Sequence, residues 1–275
     1  MGTLYVVPTP IGNLEDITLR ALRVLREVSL IAAEDTRTTR VLLQHYEITT
    51  PLTSYHEHNK LTKLDALFDA LAQGDVALVS DAGMPGISDP GYELIQAALE
   101  REVRVQPLPG PNALLPALVG SGLPTDQFIY LGFLPKKARA RADFLSTLAD
   151  EPRTLVVYES PNRLLDTLRA VKETLGERSI CVAREISKLY EEFVRGSVSD
   201  VIAHFEAHEP RGEIVLVIGG AVEAEAETWD EDQVRTALQN RIDAGEPLSS
   251  AAKAVARQSG WNRRDVYALG TNLGE

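Results

Sequence analysis

Carboxylates recur where apolar runs give way to loops. Glu34 and Asp35 follow Ser29 to Ala33, and Asp81 follows Val76 to Val79. Glu159 follows Leu155 to Tyr158, and Glu185 follows Ser179 to Ala183. A carboxylate held at a crevice mouth can take a proton from a hydroxyl or accept its hydrogen bond. Glu34-Asp35 is the better pair for the first role. Arg37 and Arg184 stand beside Asp35 and Glu185, so ion pairing is the competing use. Cys181, the single cysteine, lies between Ile180 and Val182 and reads as a buried strand residue. His204 and His208 have helical i,i+4 spacing, and His56-Glu57-His58 is dense. Neither group has a third convergent ligand, so no metal is expected.

The elements that must position these residues alternate. Thr3 to Val7, Ser29 to Ala33, Val76 to Val79 and Val103 to Pro107 read as strands, separated by helical runs such as Thr18 to Val28 and Leu61 to Gln73. Such alternation implies a parallel sheet with helices on its faces. Ser80 to Gly91, SDAGMPGISDPG, has three glycines and two prolines in twelve residues and cannot be a regular element. Asp89 and Pro90 are expected as N-cap and first position of the helix that carries the run from Tyr92 to Arg101. PTPIGNLED and PLPGPNA are similar Gly/Pro loops after strands. In an open α/β sheet the ligand crevice lies outside the strands' carboxyl ends, so the three loops suggest one site contacted by backbone. None is GxGxxG or GxxxxGK[ST], so neither phosphate fingerprint is present.

At 275 residues, two or more domains are expected, with boundaries near 121 and 225. The net charge of −12 argues against broad nonspecific nucleic-acid binding and leaves room for a local basic strip. No long apolar run or signal segment is present, so a cytoplasmic protein without a membrane partner is expected. Lys136, Lys137, Arg139 and Arg141 form such a strip, either a solvated helix start or a phosphate contact. Beyond Trp229 only helical segments follow, resembling a helix-turn-helix bundle. Lys253, Arg257, Arg263 and Arg264 make it locally basic; an RNA or ribosome contact, a structural cap and a DNA reader all suit it, and no DNA partner is expected.

PTPIGNLEDIT, AAEDTRTTRVLL, SDAGMPGISDPG, PLPGPNA, LGFLPKK and YESPNR occur in this order and at comparable spacing in the tetrapyrrole methylase superfamily. The chain resembles that family from Leu4 to about Gly220, and is most similar to its branch that methylates the ribose 2′-oxygen of a cytidine in the decoding region of 16S rRNA. The order of the elements implies two α/β domains, 1–120 and 121–224, of the kind this family has, with a cleft between them, followed by a helical domain at 225–275. It implies S-adenosylmethionine as cofactor, the small ribosomal subunit as partner, and a homodimer. Carried over by motif, the cofactor residues are Pro10, Asp81, Gly83, Met84, Ile87, Asn112, Ala113, Glu159, Ser160 and Pro161. Asp81 could instead cap its own turn. Glu34, Asp35, Arg37 and Glu185 are the catalytic candidates, and Arg20, Lys136, Lys137, Arg139 and Arg163 the RNA-binding ones. Arg40 suits a helix-surface salt bridge equally well. A methyltransferase of the same fold acting on a tetrapyrrole or a protein side chain, and a non-catalytic ribosome-assembly RNA binder, are the rival readings.

Overall fold

Strand β4 (Val76–Val79) is buried along its whole length because it is the middle strand of a five-stranded parallel sheet. The computed structural model describes residues 1–56, 63–221 and 229–271. His58, the expected helix start at Leu61 and the expected boundary near 225 lie outside them. The sheet runs β3 (Leu52–Ser54), β2 (Leu30–Ala33), β4, β1 (Leu4–Val6), β5 (Val105–Pro107). Its faces alternate residue by residue. Ile31, Ala33, Ala77 and Val79 pack against helices α1 (Leu19–Glu27) and α2 (Thr36–His45). Ala32, Val76 and Leu78 face α3 (Leu64–Gln73) and α4 (Tyr92–Glu100). Leu25 on α1 is fully buried, and its truncation to alanine costs about 2–5 kcal/mol. Thr18 caps α1, accepting from Ala21 N at 3.1 Å.

Register places the loops. Ala33 pairs with Val79, while Val6 pairs with Leu78 and with Pro107. All five strands are parallel, so the residues after them emerge at one level on one edge: 8–16, Glu34-Asp35, 80–91 and 108–113.

The second sheet is mixed: β6 (Phe128–Phe133), β7 (Thr154–Glu159), β10 (Ile214–Ile218), β8 (Ser179–Arg184), β9 (Glu192–Ser197). One face packs on α6 (Ala138–Ser146), α7 (Leu164–Leu175) and α8 (Val198–Ala207). The other carries Val156, Cys181, Ala183, Val215 and Val217, covered by Ala117 and Leu118 of α5 (Leu114–Ser121). Ile214 is in register with both Glu159 and Arg184. The ends of β7 and β8 and the start of β10 therefore meet at one edge.

The chain divides into two compact units, Met1–Gly220 and Ala221–Glu275, and both sheets belong to the first. The second holds α9 (Glu231–Asp243), α10 (Leu248–Ser259) and α11 (Arg263–Thr271) around Val234, Leu238, Val255 and Val266. Asp230 and Gln233 close a capping box at the start of α9. Lys253, Arg263 and Arg264 are exposed.

One expected cap is corrected. Gly91, with φ 142°, is the N-cap of α4, and Asp89 and Pro90 remain in the loop before it. The backbone there needs the positive φ that glycine adopts freely, which releases Asp89 for another use.

Candidate functional site

A cavity of about 380 Å³ lies between the two sheet edges. The first sheet contributes Ile11, Ala82 to Met84, Ile87 to Asp89, Asn112 and Ala113. The second contributes Phe133, Tyr158 to Pro161, Ile186 and residues 212–215. Eight of the ten residues expected to hold a cofactor meet here: Gly83, Met84, Ile87, Asn112, Ala113, Glu159, Ser160 and Pro161. The 80–91 loop is fastened to the first loop by a two-way bridge, Thr9 N to Gly83 O at 2.9 Å and Gly83 N to Thr9 O at 2.8 Å. Gly83 has φ 76°, which a side chain would strain. Across the cleft, Ser88 and Tyr130 share a hydroxyl–hydroxyl hydrogen bond of 2.7 Å. Lys188 lies against Gly12, and Ser187 hydrogen-bonds Asp16, so the loop after β8 docks on the loop after β1.

Pro10 and Asp81 fall elsewhere. They line a second cavity of about 320 Å³, with Thr9, Gly12, Leu14, Thr38, Thr39, Val41, Leu42 and Ser80. Chain alternation explains the split: Ile11 and Ala82 face one cavity, Pro10 and Asp81 the other.

The carboxylates differ sharply in setting. Asp35 caps α2 and accepts from the Arg37 guanidinium at 2.6 Å and from Arg37 N at 2.7 Å. Those hydrogen bonds hold its pKa down at about 2, so it stays ionised and is a poor proton acceptor. Arg37 is correspondingly occupied with Asp35. Glu185 accepts from Glu213 N at 2.9 Å and from Lys188 Nζ at 2.9 Å, and both contacts lower its pKa. Its ion-pair partner is Lys188; Arg184 pairs with Glu192. These contacts make Glu185 a fastener of its loop.

Glu34 and Asp81 are interlocked by register: Asp81 N donates to Glu34 Oε2 at 3.2 Å, and Asp35 N donates to Asp81 Oδ1 at 3.0 Å. Burial raises the pKa of each, and their mutual repulsion raises Glu34 further. Asp89 is pushed furthest, to about 7, by burial first and then by Glu34, Asp81 and Glu213. Among the described residues it has no hydrogen-bond or ion-pair partner, and it lines the first cavity.

Glu159, 3% exposed, accepts from Ser160 N at 2.8 Å and from Thr167 Oγ1 at 2.6 Å, so its carboxylate is spent on shaping the turn. Arg163, named as an RNA contact, is engaged within the protein. Its guanidinium donates to Leu134 O at 2.9 Å and lies 3.4 Å from Glu159 Oε1, turned into the protein. Arg141 is buried, whereas Lys136, Lys137 and Arg139 are exposed just beyond Phe133 on the cavity wall. Arg20 and Arg40 are exposed on α1 and α2. The rings of His204 and His208 stack at 4.6 Å, and no group of three metal-ligating side chains occurs among the described residues.

A profile of the tetrapyrrole (corrin/porphyrin) methylases matches residues 3–202, a span that holds the whole first sheet, four of the five strands of the second and all of the cavity lining but residues 212–215. The chain belongs to the tetrapyrrole methylase family. Within that family, the chain is 48% identical over 275 residues to ribosomal RNA small subunit methyltransferase I of Synechocystis, covering 99% of each. It is 44% identical to the Bacillus subtilis protein of the same name, covering 97% of this chain and 93% of that one. Solved tetrapyrrole methylases share the fold. A Thermus thermophilus uroporphyrin-III C-methyltransferase complexed with S-adenosylhomocysteine is 21% identical with TM-score 0.56, covering 79% of this chain and 97% of its own. A cobalt precorrin-4 methyltransferase is 14% identical with TM-score 0.59, covering 79% and 94%.

Of the second sheet's share of the cavity, sequence reasoning found Glu159, Ser160 and Pro161 and missed Phe133, Tyr158, Ile186 and residues 212–215. Only the antiparallel pairing of β10 with β7 and β8 brings Ile214 there. It also missed Asp89, whose SDPG context imitates a helix cap.

Proposed function

We propose that this tetrapyrrole methylase transfers a methyl group from S-adenosylmethionine to a ribose 2′-oxygen of small-subunit rRNA, at a cytidine of the decoding region. The near-full-length identity to relatives named for small-subunit rRNA supports that substrate over a tetrapyrrole. The observation that carries the chemistry is Asp89, an unpartnered carboxylate facing a cavity otherwise rich in apolar side chains and backbone. Such a carboxylate calls for a cation. S-adenosylmethionine, when bound, supplies an electrophilic methyl on a sulfonium, and a cavity of this size suits a small cofactor. Asp89 would balance the positive charge. Backbone around Gly83 and Asn112 would meet the adenosine, and Tyr158 and Phe133 offer flat faces to a ring.

A ribose hydroxyl is a poor nucleophile, and positioning contributes much of the acceleration. Glu34 is the proton acceptor assigned here: burial raises its proton affinity, and Asp81 N occupies only one of its oxygens. Lys136, Lys137, Arg139 and Arg20 would hold RNA phosphates around the sites. Action on a ribosomal subunit places the protein in the cytoplasm. A second copy of the chain is the partner proposed for exposed Leu115 and Val119 of α5.

The test is incubation of the protein with methyl-labelled S-adenosylmethionine and either naked 16S rRNA or small subunits lacking the modification, followed by mapping of the label. Label on a ribose oxygen of one cytidine is expected. Label on a base, or none on either substrate, refutes the assignment.

A further inference from the structure

Pro10 and Asp81 open onto a cavity of their own, and its wall is the bridge between Thr9 and Gly83 that backs the cofactor cavity. The two cavities thus share one pair of loops. We infer that this second cavity seats a splayed-out nucleoside of the RNA acceptor strand, an inference that rests on the methyl-transfer reading above.

The lining is selective. Thr39, on α2, is 4% exposed, and among the described residues its Oγ1 has no hydrogen-bond partner. A buried hydroxyl without a partner is costly; Thr39 stands on the cavity wall, and a turn about its χ1 would bring that hydroxyl to a ligand group there. Its neighbours are already engaged: Thr9 Oγ1 donates to Ser80 O at 3.0 Å, and Ser80 Oγ turns back on its own loop. Asp81 supplies the one carboxylate and no cation lines the space, so a phosphate is disfavoured inside it. Pro10, Leu14 and Leu42 give apolar surface. Apolar walls with one carboxylate and the hydroxyls of Thr38 and Thr39 suit an uncharged ring bearing amino and hydroxyl donors, which describes a nucleoside. Single-stranded RNA is read in this way, by bases turned out of the stack and bonded on their edges.

Charge is arranged for the rest of the strand. Arg40 lies between Thr39 and Val41 on α2 and is exposed, and Arg20 is exposed on the first turn of α1. They flank the loop that forms the wall, where the backbone phosphates of a bound strand would run.

The test uses the full chain and cytidine as the probe. In wild-type protein cytidine is expected to inhibit competitively against rRNA and not against S-adenosylmethionine. Thr39→Val keeps the shape and removes the hydroxyl; it is expected to weaken cytidine inhibition, and raise KM for rRNA, about tenfold each. Affinity for S-adenosylmethionine is expected to stay within about twofold, and Thr39→Ser to restore cytidine inhibition. Removing an unpaired hydroxyl leaves the melting temperature unchanged or raised, so the variant reports on binding. Cytidine that displaces S-adenosylmethionine, or binds equally to wild type and Thr39→Val, overturns the nucleoside site while leaving methyl transfer intact. Absence of methyl transfer to any rRNA by wild-type protein overturns the activity itself.

Discussion

Asp89→Asn is expected to stabilise the free protein and, at the same time, to loosen its hold on the methyl donor. In the folded chain burial and three neighbouring carboxylates lift the Asp89 pKa from 3.8 to about 7. That rise corresponds to roughly 4 kcal/mol at about 1.4 kcal/mol per pH unit, and the carboxyl's remaining contact with water reduces it to about 2 kcal/mol. The folded state binds the proton more tightly than the unfolded chain, so stability falls as pH rises from about 4 to 7 and levels off above. Asparagine has no charge to bury. The variant is therefore expected to melt about 4–8 °C higher than wild type at pH 8, and at the same temperature near pH 4. The groups facing Asp89 are Glu34, Asp81 and Glu213, with the Tyr130 and Tyr158 phenols; Lys188 is held by Glu185 and Glu213. For the donor the sign reverses. Loss of the counter-charge is expected to raise the Kd for S-adenosylmethionine about tenfold at pH 8, while S-adenosylhomocysteine, without the sulfonium charge, changes by under about threefold. Wild-type affinity for the donor is expected to weaken as pH drops below 7, and that of the variant to stay level. Calorimetric titration of both ligands from pH 5.5 to 8.5, with thermal melts of the free proteins, supplies all four curves. Equal losses for the two ligands, or a variant less stable at pH 8, would refute the counter-charge reasoning.

Glu34→Gln is expected to lower kcat about 10²–10³-fold with little change in donor affinity, and to remove the acid limb of the kcat profile; retained kcat would move the proton acceptor elsewhere. Replacing Lys136, Lys137 and Arg139 together by alanine is expected to raise KM for rRNA and shallow its salt dependence, each lost phosphate contact removing somewhat under one from the log–log slope. Arg163→Ala, by contrast, is expected to lower the melting temperature and leave that slope unchanged, because its donors go to Leu134 and Pro135 carbonyls. For the proposed dimer, Val119→Asp is expected to halve the mass measured by light scattering; an unchanged mass would put the interface away from α5.

The first sheet and its loops were legible because their signals are local. A continuous apolar run such as Val76–Val79 marks a central parallel strand, and parallel register then forces Glu34 and Asp81 onto one edge. On the second sheet Glu159 to Pro161 were legible and residues 212–215 were not, because an antiparallel return brings the latter back beside Glu159 and Arg184, and spacing along the chain does not encode that pairing. Asp89 shows a different obstacle. Asp-Pro before a helical run is a sound cap signal, and here Gly91 takes the cap and leaves the carboxylate half-buried at a cost to stability. Arg163 and Glu185 fail in the opposite sense: they have the residue type and place for function, and the fold occupies them with Glu159 and Lys188. Charge type alone therefore cannot sort these three residues. What separates them is whether the protein itself supplies the partner, and by that measure, among the described residues, Asp89 is a carboxylate left without one at the first cavity and Thr39 a buried hydroxyl left without one at the second.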